Sequence, residues 1–210
     1  PVICVPADSK IKTIDDLITE FKARPGEVKV ASAGVGAGGH LAAETFRKAT
    51  GIEYRHVPYK GGYPAVVSTV KKETEVVMQL SMEVADMLRA KKLRALANMS
   101  TQTLNISGYG EVPPVMKFIP NHAPLQYLFG LYVPKGVPKE VVEAVNKAFD
   151  AAAQSDSIKR LASEKACAAV NYKGEEALKL SETTGNNVNC IIQAIGVAKQ
   201  DPGKFGFKCE

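Results

Sequence analysis

Three points of this chain place glycine, histidine, tyrosine, lysine and glutamine where backbone and side chain together could hold a small anion. The densest is Gly34-Val35-Gly36-Ala37-Gly38-Gly39-His40. It matches G-x-G-x-x-G, follows a strand-like stretch and opens a helix-like one, the context in which a dinucleotide pyrophosphate binds. That chemistry also needs an acidic residue at the end of the next strand to hold a ribose. Here that strand ends His56-Val57-Pro58-Tyr59, and Glu53 precedes it. The loop keeps its physics without the nucleotide. Glycines expose backbone N–H groups, and a helix N-terminus adds about half a positive charge. A carboxylate or phosphate is the expected guest of Gly36, Ala37, Gly38, Gly39 and His40. The competing expectation is a turn that only lets strand and helix pack closely.

The second point is Pro58-Tyr59-Lys60-Gly61-Gly62, at the end of the following strand. Tyr59 offers a ring and a hydroxyl, Lys60 a charge, and Gly61 a permissive backbone. The third is Met78-Gln79-Leu80-Ser81, one strand further on, where Gln79 and Ser81 could face the same space or cap the next helix. In an open parallel sheet successive strand ends line one crevice, and ligands bind there. Catalysis has no comparable signal. His40, His56 and His122 form no HxxxH or HExxH pattern, and each reads as a structural hydrogen bonder. There is no G-x-S-x-G elbow, no Walker lysine loop and no motif-placed pair of carboxylates. The expectation is a protein that is not an enzyme and carries no cofactor. Cys4, Cys167, Cys190 and Cys209 lie at neither zinc-knuckle nor C-x-x-C spacing, so no metal site is expected.

The elements that position these loops follow from periodicity. Val2–Pro6 reads as a strand. Ile11–Lys22 reads as a helix, with Ile14, Leu17, Ile18 and Phe21 on one face and Thr13 as its N-cap. Val28–Ala33, Tyr54–Tyr59, Thr74–Leu80 and Leu93–Asn98 read as strands, alternating with helices over His40–Thr50, Pro64–Lys72 and Met82–Ala90. This β–α alternation predicts an α/β fold with a mostly parallel sheet flanked by helices. Residues 99–126 read as irregular, since Pro113, Pro114, Pro120 and Pro124 forbid long elements. Tyr127–Pro134 reads as a further strand. Next come an amphipathic helix with Pro138 at its first position, a short helix over Ser157–Ser163, a strand over Ala166–Asn171 and a long helix over Gly174–Val197.

The chain has 210 residues, 45% hydrophobic and 23% charged, with a net charge of +5. That is globular composition, with room for one large domain or two small ones. No run approaches the roughly 20 apolar residues of a membrane helix, so no membrane insertion is expected. The lysines and arginines are dispersed, which points away from nucleic acid and towards solvated charge or attraction of anionic metabolites. The chain opens at Pro1 without methionine or a charged leader, as expected of a processed or excised segment.

Several stretches together resemble the substrate-binding receptors of tripartite tricarboxylate transporters, the TctC or Bug family. They are Ser9–Leu17 (SKIKTIDDL), Ala31-Ser32-Ala33-Gly34-Val35-Gly36, His40-Leu41-Ala42-Ala43-Glu44, Val57-Pro58-Tyr59-Lys60-Gly61-Gly62, Ala90–Ala97 (AKKLRALA) and Tyr132–Pro138 (YVPKGVP). Their order agrees over residues 1 to about 198. The resemblance covers only the larger C-terminal portion of such receptors, without the first part of lobe 1. Where the family often has serine or threonine before the histidine, this chain has Ala37, Gly38 and Gly39.

The resemblance implies a type II periplasmic-binding-protein-like clamshell with one lobe complete and the other partial. Residues 6–126 would form the second lobe and 127–210 a return segment of the first, with a tail over 199–210. It implies capture of a small carboxylate for a membrane permease, in the periplasm or outside the cell, or anchored at the surface of a Gram-positive cell. Alanine 37 to His40 would hold the carboxylate, with Tyr59 and Gln79 lining the cleft. The alternatives are a dinucleotide-dependent enzyme and a non-ligand interaction domain. Outside the cytoplasm, Cys190 and Cys209 would form a disulfide, with Cys4 and Cys167 as the remaining pair.

Overall fold

The computed structural model describes residues 1–209. Its centre is a five-stranded sheet in the order β3-β2-β4-β1-β5. The strands are β1 (Val2–Pro6), β2 (Lys29–Ser32), β3 (Arg55–Pro58), β4 (Val76–Gln79) and β5 (Leu93–Asn98). β2 pairs in parallel with β3 and with β4. β1 lies between β4 and β5 and runs against both, pairing Val2 with Gln79 and with Asn98. Four of the five strands therefore share one direction, with the exception in the interior. The sheet takes in β1, which lies N-terminal of the 6–126 span.

The inner strands β1 and β4 are short and wholly buried because both faces are covered, whereas the edge strand β3 carries the exposed Arg55 and Pro58. Ile3, Val5, Val30, Val76 and Met78 point into one core, with α1 (Ile14–Ala23) and α2 (Gly38–Thr50). Val2, Cys4, Ala31 and Val77 point into the other, with α3 (Gly62–Val70) and α4 (Ser81–Arg89). The alternation along β1 is the period of two made visible. α1 starts where Thr13 and Asp16 form a reciprocal capping box, the Thr13 side chain accepting from the Asp16 N–H and the Asp16 carboxylate from the Thr13 N–H. The bonds from the Lys12 and Thr13 N–H groups also hold the Asp16 carboxyl below the usual range.

The irregular stretch carries a small hairpin, β6 (Leu104–Ile106) with β7 (Gly110–Val112). Asn98 anchors it, donating to the carbonyls of Gln102 and Val112. Beyond it, α5 (Lys139–Gln154), α6 (Asp156–Glu164) and α7 (Gly174–Ala194) follow. Two expected strands do not form. Residues 127–134 and 166–171 pair with no strand among the described residues, and Phe129, Leu131 and Tyr132 stand exposed. Apolar sequence alone does not make a strand; the ladder needs a partner. Ala166, at φ 52°, ends α6 in the left-handed region.

The Cys190–Cys209 bridge is present and ties the tail to α7, with a Cα–Cα distance of 5.2 Å. The expected Cys4–Cys167 bridge is absent. Cys4 is wholly buried on the central strand, among Ala65, Val77 and Leu88, whereas Cys167 is exposed beyond α6. Burial pushes the Cys4 thiol well above its ordinary value, so it behaves as a small apolar side chain.

Candidate functional site

Because β3, β2 and β4 are adjacent and parallel, their C-terminal ends bring the glycine loop, the Tyr59 loop and Gln79 to one edge of the sheet. The loops are stitched together. The Tyr59 N–H donates to the Ser32 carbonyl and the Gly61 N–H to that of Ala33. Gly34 sits at φ +140°, where a side chain would be strained, and a Cβ there would be in ordinary contact with the Tyr59 carbonyl oxygen at 3.5 Å.

The glycine loop turns on Gly36, at φ +76°, and Ala37 opens α2 in extended conformation. No side chain caps α2, and no acidic residue lies in its first turn. The N–H groups of Gly38, Gly39 and His40 thus have no acceptor within the helix. Two polar atoms border them, both buried and without a partner: Gln79 Oε1 and the Tyr127 hydroxyl. A Cβ on Gly39 would meet the first at 2.3 Å, and a Cβ on Gly38 would meet the Tyr127 ring at 3.0 Å. Burial pushes the Tyr127 phenol up to about 12, so it keeps its proton and can donate.

His40 supports the loop. It is 7% exposed, and its Nδ1 accepts from the Gly36 N–H at 3.0 Å. Its ring stacks on that of His56, with centroids 4.1 Å apart. His56 Nε2 lies 2.7 Å from Ser32 Oγ. Beneath them Glu44 accepts from the Tyr54 hydroxyl at 2.6 Å and from Arg47 at 2.9 and 3.0 Å. Burial lowers His56 to about 4, helped by the neighbouring His40. Burial also lowers His40, against the pull of Glu44. Both rings are neutral at pH 7, which His40 requires in order to accept at Nδ1.

Tyr59 packs half-buried against the core on the α3 side, Lys60 is exposed, and Gly61, at φ +115°, precedes α3. The Tyr59 and Lys60 side chains touch none of the α2 residues through a hydrogen bond or ion pair. Two residues of the edge were not foreseen. Tyr127 arrives from the far end of the irregular stretch, and no local pattern marks it. Glu83, on α4, accepts from Gln79 Nε2 and lies against Gly62; its spacing of four from Gln79 was the available signal.

The nucleotide alternative loses its ribose partner here. Glu53 stands before β3 and pairs with Arg47 at 3.7 Å. The Ser32–His56 pair has the spacing of a nucleophile with its base, but the Ser32 side chain is fully buried. Among the described residues no group of three or more His, Cys, Asp or Glu is placed to hold a metal, and no helix is long and apolar enough to cross a membrane. A cavity of about 310 Å³ lies elsewhere, between residues 128–133, α5 and α7, with Phe129, Leu131, Phe149 and Leu178 in its walls.

Comparison with known proteins places this architecture. The model of the tripartite tricarboxylate transporter family receptor matches residues 1–197. The chain is 32% identical to the UPF0065 protein in the tcbD-tcbE intergenic region of Pseudomonas sp. over 166 residues, covering 76% of this chain and 48% of that one. It is 30% identical to protein BugT of Bordetella pertussis, covering 71% and 45% respectively. The chain thus spans about half the length of these relatives. A solved structure described as that of a periplasmic transporter superposes with a TM-score of 0.82 at 26% identity, over 93% of this chain and 65% of that one. An adipate-bound protein of R. palustris shares the fold, with a TM-score of 0.77 at 21% identity, over 94% and 65%.

Proposed function

This chain belongs to the tripartite tricarboxylate transporter receptor family, and from that premise we propose that it forms the larger part of a periplasmic receptor that captures a small organic acid and hands it to the membrane permease of such a transporter. In this reading residues 6–126, with β1, form one lobe, and residues 127–210 return towards the other. The solute lies between them, and hinge closure traps it.

The observation that carries the reading is the uncapped start of α2. Backbone N–H groups of Gly38, Gly39 and His40, the positive end of the helix dipole and the Tyr127 hydroxyl converge at one edge. All are donors, and a carboxylate is the guest that takes several donors at once. Tyr59, Lys60 and Gly61 form the neighbouring wall, where Lys60 attracts the acid without fixing it. His40 acts from behind, by holding Gly36. The adipate held by the R. palustris relative is a guest of this chemical class. The chemistry asked of the site is binding alone.

Calorimetry with a series of organic acids and their neutral amides tests this on the full chain. An acid should bind and its amide should not, and Tyr127→Phe should weaken the acid by about tenfold or more through loss of one charge-assisted bond. Equal affinity for acid and amide would sink the reading.

A further inference from the structure

Two helix starts stand side by side at this edge, and they differ. The start of α2 has no acidic residue near it in sequence and no cap. The start of α3 has a carboxylate pressed against it from α4. A Cβ on Gly62 would lie 2.0 Å from Glu83 Oε1 and 2.5 Å from Oε2. The negative charge lies beside Gly62 in the first turn of α3, on the side that the helix dipole favours for an anion.

Glu83 also orients Gln79. The Gln79 Nε2 donates to it, and a carboxylate accepts only from the nitrogen side of an amide. Gln79 Oε1 must therefore turn towards Gly39, where it is buried without a donor. Gln79 is 2% exposed. Among the described residues no lysine, arginine or histidine forms an ion pair with Glu83, although it is only half-buried. One side of the site thus lacks an acid, and the other, one carboxamide away, lacks a cation and a donor.

We propose that Glu83 sets the solute class: the site takes an amino acid-like monocarboxylate, with its carboxylate at α2 and an ammonium group facing Glu83 and Gln79 Oε1. This rests on the carboxylate site proposed above. A dicarboxylate in the same pose would bring its second acid against Glu83, and like charges repel where water is partly excluded. The ammonium group supplies both the missing cation and the missing donor.

The test is calorimetry of the full chain with matched pairs that differ only in the second head group: glutarate against 4-aminobutanoate, and adipate against 5-aminopentanoate. Pentanoate serves as the single-acid reference. The amino member of at least one pair should bind about fivefold or more tightly than its diacid. Glu83→Gln, of nearly the same shape, should bring the two members level, with the unliganded melting temperature confirming the fold. A native chain that binds the diacids as tightly as the amino acids overturns the assignment of Glu83 and leaves the carboxylate site standing. So does a preference that Glu83→Gln leaves unchanged. If no compound of either pair binds, and pentanoate does not, the carboxylate site falls and this proposal with it. Should Glu83→Gln fail to fold, the native ratio alone decides.

Discussion

Replacing Gly39 by alanine probes how tightly the first turn of α2 rests on the sheet. Helix propensity favours the change by about 1 kcal/mol, and Gly39 does not occupy the left-handed region. Packing opposes it. The new Cβ would lie 1.9 Å from the Met78 carbonyl oxygen and 2.3 Å from Gln79 Oε1. The Gln79 amide can swing aside. The Met78 carbonyl cannot, because Met78 sits in β4, opposite Ile3 of β1. The helix must instead retreat by about 1 Å, and overpacking of a buried site costs about 1–3 kcal/mol, occasionally more. A backbone obstacle puts Gly39→Ala at the upper end, a net loss of about 2–3 kcal/mol. For a chain of 210 residues that is about 4–12 °C in melting temperature. Gly38→Ala is the control. Its Cβ meets the Tyr127 ring at 3.0 Å, a side chain that can yield, so its net change should stay within about 1 kcal/mol. Urea and thermal melts followed by far-ultraviolet circular dichroism measure both. A Gly39→Ala variant as stable as the parent, or less damaged than Gly38→Ala, would refute the close contact between α2 and β4.

The stacked histidines predict a loss of stability in acid. Folding lowers His56 to about 4 and lowers His40 as well, so the unfolded chain binds protons that the folded chain refuses. Their contribution is full above about pH 6.5 and declines as the pH falls from there towards 4. Melting temperatures at pH 7 and pH 5 should differ, and His56→Asn should narrow the difference; equal values in the native chain would contradict the buried stack. The cysteines predict two reactive thiols per chain after denaturation without reductant, Cys4 and Cys167, and four after reduction. Opening the bridge, which spans 19 residues, should lower stability by up to about 3 kcal/mol. Four thiols before reduction would exclude the bridge.

Much of the first half of the fold was legible because its signals are local. The period of Ile14, Leu17 and Phe21, the Thr13 cap, the glycine stop at Gly51 and the strand Leu93–Asn98 are all found where the residues put them. The convergence of three loops also followed from residue types, since consecutive β–α units leave few ways to arrange a sheet. The direction of β1 did not follow, because its partners are remote in sequence and an antiparallel strand has the same apolar run as a parallel one. Residues 127–134 misled for the related reason that Leu128 and Leu131 look alike whether or not a ladder awaits them. At the site, Tyr127 and Glu83 escaped notice because each comes from outside the glycine-rich loops, and only packing brings them to Gly38 and Gly62.

Of the five strands β1 is synthesised first, and it is completed last. Val2 needs Gln79 on one side and Asn98 on the other. While ribosomal synthesis runs between these points, β2, β3 and β4 can already join through short crossovers, but β4 keeps an open edge. Val2–Pro6, all of it buried in the finished fold, can cover that edge but leaves its own β5-facing edge open until Leu93–Asn98 is present. Contacts this remote in sequence slow folding, and unpaired edges invite association between chains. β1 therefore has both its partners only once Leu93–Asn98 is present. A chain stalled or cleaved before Leu93 would display an unguarded strand edge along Val2–Pro6, a site for association between chains.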